Sequence, residues 1–305
     1  MSSVITIRKY CMAALLVCAS LLLHAQKTAM QVVGIMQDGG SPQLGCLKPC
    51  CKNNKQREFV SSIALIDSTN QVFHLLDATP DIASQFQLIY QTLPATYKLG
   101  SIFLTHAHIG HYTGLQFLGR EAMNAAEVPV YVMPRMGAYL TKNGPWSQLV
   151  QLKNIQLQPL VQDQTVQLGG FQLTPLLVPH RDEFSETVGF RVKGAGKSLL
   201  FIPDIDKWEK WDRQLIAEIE KVDYAFIDGT FFADGEINRP MHEIPHPFIS
   251  ETIRLLDTLP RSIRERVYFT HFNHTNPLLQ HTHPDRIRLE KDGYHFATTG
   301  TILSL

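Results

Sequence analysis

Residues 102–115, IFLTHAHIGHYTGL, carry the densest chemical signal in the chain. A β-rich run ends at Thr105 and is followed by His106, His108 and His111, then by Gly114, where a helix is expected to begin. In an extended segment, side chains two apart point to the same side, so His106 and His108 leave the strand end together. His111, on the turn that follows, completes a facial set of nitrogen donors suited to zinc. With 13 histidines in 305 residues, three at this spacing read as a ligand set rather than as separate surface groups.

Similar β-rich runs occur on both sides: MQVVGIM, SSIALID, QVFHLLDA, VPVYVM, FQLTPLLV, TVGFRV, KSLLFIPD, VDYAFID and RVYFTH. Helical spacing appears over Ile82 to Tyr90, Trp208 to Lys221 and Pro247 to Leu256. Early strands follow one another closely, and strands and helices then alternate. This order predicts an α/β fold with two sheets packed face to face and helices outside. No internal repeat or low-complexity linker divides the chain, so residues 26–305 are expected to form one domain. Hydrophobic residues make up 44% and charged residues 18%, enough for a buried core. The 28 basic and 28 acidic residues balance, which argues against nucleic acid as a partner and for a small-molecule substrate recognised locally.

Arg8 and Lys9 precede an apolar run from Cys11 to Leu23, and Ala25 offers a small residue for cleavage. Residues 1–25 therefore read as a signal peptide, with a periplasmic or secreted mature protein. The thirteen-residue run is short of the roughly 20 needed to span a bilayer, so no span is expected after leader removal. Leu16 and Val17 before Cys18 are not the small residues of a lipidation signal.

The mature chain keeps Cys46, Cys50 and Cys51, an odd number, and adjacent cysteines pair with each other only under strain. Thiolate ligation of a metal suits them better. It would also hold the stretch from Asp38 to Lys55, which reads as a long loop without apolar packing of its own.

IFLTHAHIGHYTGL resembles the metallo-β-lactamase superfamily, whose signature is His-x-His-x-Asp-His after a strand. The resemblance implies a four-layered αββα sandwich. It also implies a later His, Asp and His at three further strand ends, matched here by His180, Asp204 and His271. On that mapping His106, His108 and His180 hold a first metal, Asp204 bridges, and His111 with His271 hold a second. Gly110 stands where the signature has Asp. It offers no oxygen, so the second site is expected to be weak: one zinc works alone, water and substrate oxygen fill the gap, or catalysis is lost.

Within the superfamily, VVGIMQDGGSPQLGCLKPCC and YFTHFNHTNPLL are similar to the branch that contains pyrroloquinoline-quinone biosynthesis protein B and the cyclic phosphodiesterase of phosphonate breakdown. That likeness implies a structural zinc on Cys46, Cys50, Cys51 and His274, although adjacent Cys50 and Cys51 rarely share one ion. It also implies a histidine that protonates the leaving oxygen, His246 or its rival His242; Asp228 either orients that acid or only caps a turn. Asp38, Ser41, Arg181 and Glu183 lie near strand exits but receive no role. The resulting expectation is a zinc hydrolase, iron or manganese being alternative occupants, in which zinc-bound hydroxide attacks an ester, a phosphodiester first. The alternatives are a metal-dependent, oxidative step in cofactor maturation and a non-catalytic, zinc-stabilised binding protein.

Overall fold

Strands buried on both faces read as continuous apolar runs, whereas half-buried strands alternate. SSIALID shows how the first kind serves two cores: Ile63 and Leu65 join one apolar cluster, and Ala64 and Ile66 join another. The first cluster fills the space between two sheets and continues around the second of them to the helices on its far side. The other cluster lies between the first sheet and helices that cover its outer face.

The computed structural model describes residues 28–54, 57–181, 183–240 and 243–305. Residues 1–25, expected to be a signal peptide, and His242 lie outside the described residues. The strands are β1 (Thr28–Gly34), β2 (Ser62–Asp67), β3 (Val72–Leu76), β4 (Lys98–Phe103), β5 (Val128–Val132), β6 (Ile155–Pro159), β7 (Val166–Leu168), β8 (Phe171–Leu177), β9 (Val188–Lys193), β10 (Ser198–Ile202), β11 (Tyr224–Asp228), β12 (Val267–Thr270), β13 (His295–Phe296) and β14 (Ile302–Ser304). They form two seven-stranded sheets, ordered β14-β1-β2-β3-β4-β5-β6 and β13-β12-β11-β10-β9-β8-β7. Phe103 of β4 meets Phe190 of β9 edge to face across the sandwich, ring centroids 5.7 Å apart. Burying side chains of this size contributes about 1.5–3 kcal/mol each.

Helices Ile82–Thr92, Pro134–Lys142 and Trp146–Gln151 close the outer face of the first sheet through Ile82, Ile89, Met136, Leu140 and Leu149. Helices Leu215–Ile219, Ile249–Leu256 and Pro284–Lys291 pack on the second sheet through Leu215, Ile219, Ile249, Leu256 and Leu289. The result is the expected αββα sandwich. Among the described residues, no helix is long and apolar enough to cross a membrane.

Two sequence expectations need correction. The single helix over Trp208 to Lys221 does not form: a 3-10 turn, Trp208–Lys210, passes through extended backbone at Trp211 and Gln214 into the helix Leu215–Ile219. The two tryptophans are anchored on different partners. Trp208 Nε1 donates to Thr252 Oγ1 at 2.8 Å and Trp211 Nε1 to the Leu177 carbonyl at 2.7 Å, which pulls the chain out of helical register. Nor does a helix begin at Gly114. A short helix, Ile109–Tyr112, comes first, and Gly114 lies in a 3-10 turn, Thr113–Leu118. Glycine is needed there because a Cβ would sit 2.1 Å from the Thr79 carbonyl oxygen.

Strand direction sets up the site. β3 and β4 are parallel, as are β10, β11 and β12. β8 is antiparallel to β9 and β9 to β10, so β8 runs with β10. β1 runs with β3 for the same reason. The C-terminal ends of β1, β3, β4, β8, β10, β11 and β12 therefore open at one edge of the sandwich.

Candidate metal centre

At that edge, the residues just past the strand ends supply the chemistry: Asp77 after β3, His106, His108 and His111 after β4, His180 after β8, Asp204 after β10, Asp228 closing β11, and His271 after β12. Asp204 lies at the middle. Its Oδ2 is 3.2 Å from His180 Nε2, 3.4 Å from His106 Nε2, and 3.9 Å from each of His108 Nδ1, His111 Nε2 and His271 Nε2. All six residues expected to hold the active-site metals are thus brought together.

The histidines are oriented by their other nitrogens. His106 Nδ1 meets Thr105 Oγ1 at 2.9 Å, His111 Nδ1 meets Asp77 Oδ2 at 2.7 Å, and His271 Nδ1 meets Thr230 Oγ1 at 2.9 Å. Each contact leaves Nε2 aimed at the centre, the outer-shell arrangement that fixes metal-binding imidazoles. Asp77 also accepts from the Thr105 amide and hydroxyl at 2.7 and 3.0 Å. His271 (φ 63°) and Asp77 (φ 72°) both adopt left-handed backbone. Such conformations cost about 1–3 kcal/mol each and gather at functional sites.

Buried polar atoms are ordinarily hydrogen-bonded, and leaving one unpaired costs about 1–3 kcal/mol. Here Nε2 of His106, His111 and His271, Nδ1 of His180 and Oδ1 of Asp204 are buried without a hydrogen-bond partner. Burial pulls His106 well below the ordinary imidazole range and His271 down to about 4, so both present free lone pairs at neutral pH. Burial opposes the carboxylate form of Asp204 as well, but His180, His246 and His271 hold it ionised, well below the usual range. Neutral nitrogens around a buried carboxylate fit a divalent cation.

His111 differs. Burial opposes its charge, yet the Asp77 carboxylate pushes it up to about 9. A metal at His111 must displace that proton. Proton competition is present below about 9 and fades above it. Zinc affinity at this nitrogen, measured by titration of the metal-free protein, is expected to rise with pH between 6.5 and about 9. A flat profile over that window would contradict the assignment.

His246 sits beside the cluster. Its Nδ1 lies 2.8 Å from Asp228 Oδ2 and 3.2 Å from Asp204 Oδ1. Burial disfavours its cationic form, but Asp228 and Asp204 push it up to about 9. Asp228 is itself fixed by the Thr230 amide and hydroxyl at 2.9 and 2.7 Å and by the Ile205 amide at 3.2 Å.

The second expected set is also assembled. Ligand atoms of Cys46, Cys50, Cys51 and His274 all lie within 4.8 Å of one another. A short helix, Pro49–Lys52, carries Cys50 and Cys51 with their sulfurs 4.0 Å apart, so adjacency does not exclude either from one ion. The Gln43 amide points at Cys51 Sγ at 3.3 Å, and Asn273 Oδ1 engages His274 Nδ1 at 2.9 Å, leaving His274 Nε2 for a metal. Burial pushes the Cys51 thiol up to about 11, so uptake of a cation should release protons. Cys51→Ser or His274→Ala is expected to lose one metal per chain and to lower Tm while the histidine centre stays loaded. Elemental analysis beside thermal melts checks this.

Some participants were not identified from sequence. Asp77, Thr105 and Thr230 support ligands, and Ser185 Oγ accepts from the Ala107 amide between two of the histidines at 2.8 Å. Of the four residues without a role, Glu183 Oε2 lies 3.6 Å from His108 Nε2 and Asp38 Oδ1 lies 3.6 Å from His111 Nε2. One signal was available for Asp77: its strand, like those of His106, His180 and Asp204, ends in an ionisable residue.

An αββα sandwich whose strand ends converge on histidines and an aspartate defines a metal-site protein. Residues 74–272 match the Beta-lactamase superfamily domain, more than half of the chain, and the chain belongs to that superfamily. It is 26% identical over 314 residues to coenzyme PQQ synthesis protein B of Cupriavidus necator, with 91% of this chain and 100% of that one covered. Among solved structures, Zn(2+)-bound PqqB from Methylobacterium extorquens matches with a TM-score of 0.77 at 23% identity, covering 91% of this chain and 100% of that chain. A diphosphatase from the PhnP family matches with a TM-score of 0.65 at 20% identity, covering 92% and 97%. The two solved structures share the fold of this chain, and its sequence is similar to coenzyme PQQ synthesis protein B.

Proposed function

We propose that the chain is an exported metal-dependent hydrolase of phosphodiesters, with zinc at the histidine centre and a separate structural zinc on the cysteines. The observation that carries this reading is the convergence of five imidazoles on Asp204 Oδ2 with the His246–Asp228 pair alongside. A divalent ion, when bound, lowers the pKa of coordinated water toward about 7 and polarises a phosphoryl oxygen. Ligand atoms of His106, His108, His180 and Asp204 lie within 4.8 Å of one another, and those of His111 and His271 fall in a second such group. His246 gives Nδ1 to Asp228, so the proton it can transfer to a leaving oxygen is on Nε2. An imidazolium beside a cationic centre favours a phosphate anion over a neutral ester, and diphosphatase is the activity named for the PhnP-family neighbour.

The test is turnover by metal-loaded protein on phosphodiesters, diphosphate esters, lactones, thioesters and lactams in parallel. Cleavage of phosphodiesters, lost in Asp204→Asn, supports the reading. Tight zinc without turnover on any substrate would instead mark a binding protein. The match to coenzyme PQQ synthesis protein B favours a second reading, a metal-dependent step in cofactor maturation. Iron rather than zinc at the histidines of protein purified from its native host would favour that one.

Export rests on residues 1–25. Expression in a bacterial host is expected to yield a periplasmic protein starting at Gln26, read by intact mass. An uncleaved cytoplasmic product would overturn it.

A further inference from the structure

The position that carries the superfamily's aspartate holds Gly110, and what occupies the space beside it is another carboxylate. A Cβ built on Gly110 would lie 2.2 Å from Asp38 Oδ1 and 2.7 Å from Asp38 Cα. Asp38, just past β1, therefore fills the volume into which a side chain at 110 would grow. The Gly110 amide donates to Asp38 Oδ1 at 3.0 Å, which fixes that oxygen, and the same oxygen is 3.6 Å from His111 Nε2. Ligand atoms of Asp38, His111 and His271 lie within 4.8 Å of one another. The two histidines are completely buried and their Nε2 atoms have no hydrogen-bond partner.

We propose that Asp38 is the carboxylate ligand of the second metal, supplied from the end of β1 in place of the missing residue at 110. Glycine at 110 and aspartate at 38 form one device: the absent side chain makes room for the carboxylate, and the glycine amide holds it. The second site would then have His111, His271 and Asp38, with Asp204 Oδ2 3.9 Å from both histidines as a further oxygen, nitrogen and carboxylate donors suited to a divalent ion. The chain should bind three metals, two at the histidine centre and one at the cysteines.

This rests on the metal-centre reading, and the experiment separates the two. Asp38→Asn keeps the shape and the oxygen that accepts from Gly110, so a purely structural Asp38 would tolerate it. Mature metal-free protein, wild type and Asp38→Asn, is titrated with zinc by calorimetry. Cobalt(II) titration followed by absorbance distinguishes the cysteine site, through its thiolate charge-transfer band, from the histidine sites. The expected result is three sites in wild type, with one histidine-centre site weakened at least about tenfold in Asp38→Asn and the other two unchanged. Unchanged affinity at all three sites in the variant, or only one histidine-centre site in wild type, overturns the Asp38 assignment and leaves the metal-centre reading standing. No binding at the histidines in wild type overturns both.

Discussion

Asp204→Asn is expected to give a folded protein that has lost turnover and weakened its histidine-centre metals. The reason is position. Oδ2 of this one carboxylate lies within 3.9 Å of nitrogens from five histidines, and the side chain is buried. Changing residues that merely support a ligand costs about 10–100-fold in metal affinity or activity, so loss of the shared carboxylate should cost at least about 100-fold in both. Asparagine preserves volume, and Asp77 and Asp228 remain as partners of His111 and His246, so the metal-free variant is expected to fold. The cysteine site shares no residue with Asp204 and should keep its ion. Calorimetric zinc titration and turnover check the two halves of the expectation; a variant with wild-type affinity at the histidines would show that Asp204 is not the shared ligand.

His246→Gln is the second large effect, and it should separate turnover from metal binding. His246 Nδ1 is committed to Asp228 Oδ2 at 2.8 Å, which leaves Nε2 as the nitrogen that can give a proton to the leaving oxygen. Loss of a positioned general acid costs about 10²–10⁴-fold in rate, and kcat should fall by that much with metal content retained. Carboxylate pressure holds the imidazolium up to about 9, so the acid form is present at lower pH and lost as pH rises through that value. The basic limb of the wild-type rate profile should accordingly disappear in His246→Gln. Asp228→Asn should move that limb to lower pH, because it removes the charge that stabilises the imidazolium. Loss of a metal ion in His246→Gln would make His246 a ligand instead.

The ligand series was legible because each member closes a strand. The superfamily resemblance called for a later His, Asp and His at strand ends, and because His180, Asp204 and His271 each follow a β-rich run, as His106 does, they could be matched to it without coordinates. Cys46, Cys50, Cys51 and His274 were reached through resemblance to a branch of the superfamily. Asp38 received no role from sequence for a physical reason. Its reach to His111 depends on how β1 sits beside β2 and β3 and on the space left by Gly110, and neither is encoded near residue 38. Trp208 to Lys221 was misread because apolar residues at helical spacing also arise when two tryptophans are held by separate partners. Strands as short as β13, two residues, carry no period to detect.

The central claim is that the chain holds a histidine metal centre distinct from a cysteine one, and metal content per chain in paired variants tests it most directly. Mature protein without a His tag, purified as wild type, His108→Ala and Cys51→Ser, is analysed for metals after gel filtration. The account predicts that His108→Ala loses metal only from the histidine centre and Cys51→Ser loses one ion only from the cysteines. Equal metal content in all three proteins, or loss of every ion in either variant, would contradict it.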